Sequence, residues 1–177
     1  MIAQFEHIKI VRFHSGFGKD LYDIIERNRK ELNSYFAGTT SKTNTLEDTL
    51  AYSLKIEERI EKNEYFPFLL INIINNQLVG LVDVKNIDWS IPKAELGYFI
   101  DKDSGGKGIT SKAVGVVIDY LIEKYQFQKL LCRVGSENIG SIKIAIKNGF
   151  QLEGTIRRDY KTTSGKLVDL NYYGRIF

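Results

Sequence analysis

The feature that most constrains this chain is a change of period at Phe66. From there "FPFLLINII", "LVGLVDV" and "AELGYFI" follow one another, separated by the turn-forming "NNQ" and by a loop through Trp89 and Pro92. Short apolar runs bounded by turn residues read as strands, and connections this short join antiparallel neighbours. The three segments therefore predict an antiparallel series. Immediately after it the period returns to that of a helix, with Val114, Val117, Ile118, Leu121, Ile122 and Tyr125 on one face. Between strand and helix stands "DSGGKGITSKAV", Asp103 to Val114, a glycine-rich turn.

The flanking regions fill out the order of elements. Ile8 to Phe13 alternates as a short strand, and "HSGFGKD" leads into a helical stripe of Leu21, Ile24, Ile25, Leu32 and Tyr35 with Asn28 on the same face. Thr45 with Asp48 three residues on resembles a capping box and opens a second helix to about Lys62, whose apolar stripe is less clean. After the glycine turn and its helix come a strand, "KLLCRV", and a short helix in "SENIGSIKIAIKNGF". Asn138 or Ser136 stands near that helix's start, and Gly149 is placed to end it in a left-handed cap. "FQLEGTIRRDY", "TTSGK" and "LVDLNYYGRIF" read as a hairpin turning at Ser164 and Gly165. The order β, α, α, β, β, β, α, β, α, β, β predicts a mixed α+β sheet, and one domain over residues 1–177 is the expectation.

Composition removes several classes of function. A hydrophobic fraction of 43% with 27% charged residues is that of a globular protein, and no apolar run approaches the roughly 18 residues of a membrane span. The opening "MIAQFEHIKIVRF" lacks the basic start, apolar centre and small-residue cleavage site of a secretory leader, so the expected location is the cytoplasm. His7 and His14 have no cysteine or carboxylates at ligand spacing, which argues against a metal site. Cys132, the only cysteine, lies in a strand, where a thiol serves as a small hydrophobe. A net charge of +3 without a long basic block gives no support to nucleic-acid binding, although it suits an anionic cosubstrate.

A strand, a glycine turn and a helix start together make an anion site, because the first amides of the helix are unpaired and carry the positive end of its dipole. Two nucleotide motifs fail on spacing. A P-loop needs a glycine five residues before its Gly-Lys-Ser/Thr, but Asp101 precedes Gly106 by five and Ile109 follows Lys107-Gly108. A dinucleotide fingerprint needs a third glycine where Ser111 stands.

A third pattern fits. The turn resembles the acyl-CoA loop of the GNAT superfamily of N-acetyltransferases, "Q/R-x-x-G-x-G/A", with Gly105, Gly108 and Thr110 in its motif positions and Gly108 the strict match. "AELGYFID" resembles that family's fourth strand. "SENIGSIKIAIKNGFQLEGTIRRDY" resembles the "N-x-x-S...GF-x-x-EG-x-x-R" ending of the ribosomal-protein alanine/serine N-acetyltransferases within it, and "NRKELNSYF" looks like the "nR-x-x-L-x-x-W" helix of the same subgroup. The resemblance implies a central, mostly antiparallel sheet of about seven strands flanked by about four helices and splayed between the fourth and fifth strands. It also implies direct transfer of an acetyl group from acetyl-CoA to a primary amine, such as the α-amine of a ribosomal protein, and a homodimer is one oligomeric state open to it.

Acetyl transfer to an amine needs an uncharged amine, a stabilised oxyanion and a proton for the departing thiolate. The resemblance implies that the main chain near Phe99 and Ile100 contacts the pantetheine arm and that Gly105, Gly106, Lys107, Gly108, Ile109 and Thr110 cradle the pyrophosphate. Glu95, on the strand face shared with Gly97 and Phe99, is the first choice of base, against a reading as a solvated strand carboxylate; Glu153 is the alternative. Many family members carry a tyrosine acid where this chain has Ala145, so Ser141, one helical turn after Asn138, becomes the acid, unless it merely bonds a preceding carbonyl. Asn138 binds the pantetheine amide or caps the helix. Asn28, Glu31, Tyr35 and Trp89 are expected to line the acceptor side, though each has a plain structural role as a rival. Against the enzyme stands a CoA-binding or regulatory module without catalysis, and against a protein acceptor stands a small-molecule amine.

Overall fold

In a computed structural model describing Met1 to Phe177, the series that begins at Phe66 forms the centre of one eight-stranded sheet of order β1-β2-β3-β4-β5-β6-β8-β7. Its strands are β1 (Ala3–Phe5), β2 (Ile8–Arg12), β3 (Phe66–Asn72), β4 (Gln77–Asp88), β5 (Lys93–Ile100), β6 (Lys129–Gly135), β7 (Gln151–Lys161) and β8 (Leu167–Ile176). The helices are α1 (Gly18–Tyr35), α2 (Ala37–Thr40), α3 (Leu46–Glu61), α4 (Ile109–Tyr125) and α5 (Ile139–Lys147). The expected three-strand series is present as the antiparallel pairs β3–β4 and β4–β5. Two short elements exceed the expected count: β1, which folds back on β2, and the four-residue α2. No helix is long and apolar enough to cross a membrane.

Helices cover both faces of the sheet, which is why β3 reads as an unbroken apolar run rather than an alternating one. Phe66, Phe68 and Leu70 face α4, with Phe68 edge-on to Tyr120 and Phe66 stacked on Tyr125. Leu69 and Ile71 face the opposite way into a second cluster with Leu21, Ile24, Ile25 and Leu32 of α1 and Ile56 of α3. The uneven stripe of α3 has a steric cause. Its inward positions are Thr49, Ser53 and Ile56, because Gly18 of α1 comes so close that a Cβ there would lie 2.8 Å from Leu50 and 3.0 Å from Ser53. The Thr45–Asp48 capping box is formed in both directions, 3.0 and 3.1 Å.

The one parallel pairing matters most for function. β5 and β6 pair only from Lys93–Glu95 to Lys129–Leu131, after which the strands part while β6 continues along β8 to Gly135. With β1 added, the splay expected between the fourth and fifth strands lies here, between β5 and β6. A strand carried past its partner leaves main-chain groups unpaired, and the wedge so opened holds the main cavity.

Candidate active site in the β5–β6 splay

The cavity has a volume of about 440 Å³ and is walled by α1, β5, β6, α5 and the glycine turn, with Tyr160 of β7 at one end. At the turn, Gly106 and Gly108 have φ of +76° and +75°, a region open to glycine without strain, whereas Gly105 is at −65°. The conformational demand thus falls on Gly106 and Gly108, although Gly105 occupies the first motif position. The amides of Gly106, Lys107 and Gly108 donate to no main-chain acceptor, and α4 starts at Ile109 without a side-chain cap. A Cβ at Gly106 or Gly108 would meet nothing within 4 Å, so space adjoins these amides. Free amides, a helix start and open space together fit an anion such as a pyrophosphate.

Phe99, Ile100, Gly105 and Thr110 line the main cavity. Lys107, Gly108 and Ile109 line a second one of about 410 Å³ on the other side of the turn, together with Phe5, Lys112 and Lys147; Gly106 borders neither.

At the far end Glu95 is 7% exposed and centres an ion cluster that the sequence alone did not disclose. Its Oε2 accepts from Arg133 Nε at 2.8 Å and from Asn86 Nδ2 at 2.7 Å, while Oε1 lies 3.8 Å from Lys85 Nζ. Asn86 reaches it because β4 bulges between Lys85 and Asp88, where Asn86 takes a φ of +50° that asparagine tolerates. Lys85 is held above the usual lysine range, first by the carboxylate of Asp83 and then by Glu95, against the opposing effect of burial. Asp83 Oδ2 accepts from the Tyr65 hydroxyl at 3.0 Å, and its buried Oδ1 has no hydrogen-bond partner. Gly97 makes room for this pair, since a Cβ there would fall 2.2 Å from Asp83 Oδ1.

Ser141 and Asn138 face Glu95's strand across the splay, on α5. Asn138 Oδ1 accepts from the Ser141 amide at 3.1 Å, so the asparagine caps its helix. The Ser141 hydroxyl makes no hydrogen bond to the preceding turn and is exposed to the cavity. Tyr98, which the sequence reading passed over, donates to the Ser141 carbonyl at 2.9 Å and ties α5 to β5 across the gap. Beside it Cys132 is buried in the core, and burial pushes its thiol well above the usual range.

The remaining expected residues divide. Asn28, Glu31 and Tyr35 do line the cavity. Asn28 is also a tie: it is 4% exposed, and its Oδ1 accepts from the Lys102 amide at 2.9 Å. Trp89 does not reach the acceptor side; it stacks on Phe127 at 5.2 Å and donates to the Asn63 carbonyl, because the loop before β5 folds towards the end of α4. Glu153 is outside the cavity as well, paired with Lys129 at 2.8 Å over Gly174.

The sequence profile of the acetyltransferase (GNAT) domain matches residues 17–151, which takes in α1, the splay, the glycine turn and α5. The chain belongs to the GNAT family of acetyltransferases. Among curated GNAT relatives it is 34% identical over 106 residues to the "Probable N-acetyltransferase YjcK" of Bacillus subtilis, covering 59% of each chain. It is 28% identical over 101 residues to the ribosomal-protein-serine acetyltransferase of Escherichia coli, covering 57% of this chain and 56% of that one. The chain thus matches less than two thirds of the length of these two relatives. Among solved structures, RimL, a ribosomal α-N-protein acetyltransferase in complex with coenzyme A, superposes with a TM-score of 0.91 at 18% identity, over 99% of this chain and 97% of that one. At that identity the likeness is one of fold.

Proposed function

We propose that the protein transfers an acetyl group from acetyl-CoA to a primary amine, with the N-terminal α-amine of a protein as the acceptor class. The observation that carries the reading is the main cavity, which runs from Gly105 and Thr110, on either side of the free amides of the glycine turn, to a carboxylate, Glu95, and an unbonded hydroxyl, Ser141. Acetyl-CoA, when bound, supplies a thioester whose acyl carbon an amine can attack. The chain's own residues do the rest. The amides from Gly106 to Thr110 hold the pyrophosphate, and the main chain at Phe99 and Ile100 aligns the pantetheine arm as an added strand would. The side-chain amide of Asn138 is available to the same arm.

An amine with a pKa of about 8 to 10 is mostly protonated at neutral pH and must lose a proton to react. Glu95 Oε1, the oxygen without a close donor, takes that proton directly or through a water, and Lys85 and Arg133 beside it disfavour a third cation and so help to release it. As the nitrogen bonds to the acyl carbon and the carbon–sulfur bond breaks, Ser141 Oγ gives its proton to the thiolate and takes in return the surplus proton of that nitrogen, so that the hydroxyl, the thiol and the amide all end neutral. Glu31 and Tyr35 line the entry of the acceptor. The "Putative ribosomal N-acetyltransferase YdaF" of Bacillus subtilis matches over 95% of this chain at 28% identity, whereas a spermidine N(1)-acetyltransferase matches over 49% at 29%, which supports a protein N-terminus over a polyamine.

The test is release of free thiol from acetyl-CoA with a panel of N-terminal peptides, polyamines and amino sugars. Peptides with free α-amines are expected to turn over fastest; turnover of polyamines alone would overturn the acceptor, and coenzyme A binding with no turnover of any amine would overturn the reaction. Ser141→Ala is expected to lower turnover at least tenfold with coenzyme A affinity unchanged, and unchanged turnover would remove the hydroxyl from the mechanism.

A further inference from the structure

The turn that the proposed function assigns to the pyrophosphate begins at Asp101, and Asp101 is held from outside. It is 3% exposed, and its Oδ2 receives Arg27 Nε at 2.9 Å and Arg27 Nη2 at 2.8 Å. The same Nη2 donates to the Leu78 carbonyl at 3.2 Å, so one guanidinium joins α1, the start of β4 and the end of β5. Asp101 Oδ1 accepts from the Asp103 amide at 3.2 Å, and one residue on, the Lys102 amide donates to Asn28 Oδ1. Beyond this point the turn contains Gly105, Gly106 and Gly108, with two main-chain bonds inside it, Ser104 to Asp101 at 2.8 Å and Gly105 to Lys102 at 3.4 Å, and none from the amides of Gly106 to Gly108 before α4 takes over. The glycines of the turn are thus anchored on one side by α4 and on the other by Arg27.

We propose that Arg27 is a positioning residue for acetyl-CoA: through Asp101 it fixes the entry to the glycine turn, so that the free amides already point at the pyrophosphate site before the cosubstrate arrives. The proposal rests on the assignment of that turn to acetyl-CoA. A glycine-rich segment with a loose end must be ordered on binding, and the freedom lost then is subtracted from affinity; a segment ordered beforehand loses little. The planar fork of arginine is what allows one side chain to hold both a carboxylate and a carbonyl, and lysine, a single ammonium, cannot do both in the same way. Arg27 touches neither the cavity nor the ligand site, so its effect passes entirely through Asp101.

The experiment is titration of the full chain with coenzyme A by calorimetry, with hydrogen exchange over residues 102–110, for the wild type, Arg27→Gln, Asp101→Asn, their double variant and Arg27→Lys. Expected are a fall in affinity of about tenfold in Arg27→Gln, a similar fall in Asp101→Asn, no further fall in the double variant, and an intermediate value for Arg27→Lys. Amide exchange should quicken in 102–110 of free Arg27→Gln and return towards the wild-type rate when coenzyme A saturates. A structural role alone would lower the melting temperature without altering the affinity of the folded protein. Equal affinity in folded wild type, Arg27→Gln and Arg27→Lys would overturn the proposal and leave the turn's assignment standing. A wild type that does not bind coenzyme A would overturn the assignment itself. If Arg27→Gln fails to fold, Arg27→Lys, which keeps the charge, decides by the same comparison.

Discussion

The two ends of the cavity are built on different principles. At the glycine turn the working groups are main-chain amides, held by dihedral angles that a few neighbouring residues dictate: Gly106 and Gly108 at positive φ, then a helix start. At the acceptor end they are side chains from three strands and two helices: Lys85, Glu95, Arg133, Ser141 and Tyr35. One end depends on local conformation; the other exists only when distant segments meet. Damage to the first should therefore be graded and confined to affinity, while damage to the second should reach catalysis or the whole fold.

The sharpest break is expected from Glu95→Gln, which should lower turnover about 100-fold, the scale of a lost general base, while coenzyme A affinity stays within about twofold. Thiol-release kinetics and calorimetry measure the two, and a parallel loss of affinity would mean that the ends are not separable. Next is Gly97→Ala, whose Cβ would overlap Asp83 Oδ1 and press on Lys85 Nζ. A cost of about 1–3 kcal/mol is expected in denaturant unfolding, the range for overpacked interiors. Gly108→Val should place a β-branched residue at φ +75°, a strain of about 1–2 kcal/mol, seen as roughly tenfold weaker coenzyme A binding. Gly105→Ala is its control: φ is −65° and the new Cβ would sit an ordinary 3.4 Å from the Lys102 carbonyl, so affinity should hardly change.

The smallest effect is a pH dependence. Burial raises the folded-state pKa of the Cys132 thiol above its ordinary 9.0. The folded chain therefore keeps the proton when the unfolded chain gives it up, so this contribution to stability is complete below about pH 9 and shrinks as pH rises beyond it. Denaturation midpoints from pH 7 to 10 should show the decline, and Cys132→Ala should flatten its first part; an identical slope in the variant would count against the buried thiol as its source.

Most of the fold was legible in the residues. The change of period at Phe66, the Thr45–Asp48 box and the Asn138 cap are local patterns, and a local pattern is formed by neighbours that the chain itself supplies. The same holds for the turn, where positive φ at Gly106 and Gly108 follows from what glycine alone tolerates. Glu95 could be placed on a strand face by alternation, but not its company: Arg133 is 38 residues away, and Asn86 reaches it only through a bulge that no periodicity announces. Trp89 shows the same gap, for its loop position was plain while the direction in which the loop folds was decided by Phe127 and Asn63. Arg27 is the clearest instance, one charged residue among several on α1 until the sheet brings Asp101 and Leu78 beside it. The sequence by itself determined the elements and the phosphate-type turn, since backbone conformation depends on adjacent residues. Only the tertiary structure decided which charges meet in the splay, because pairing across it depends on register and on where two strands part.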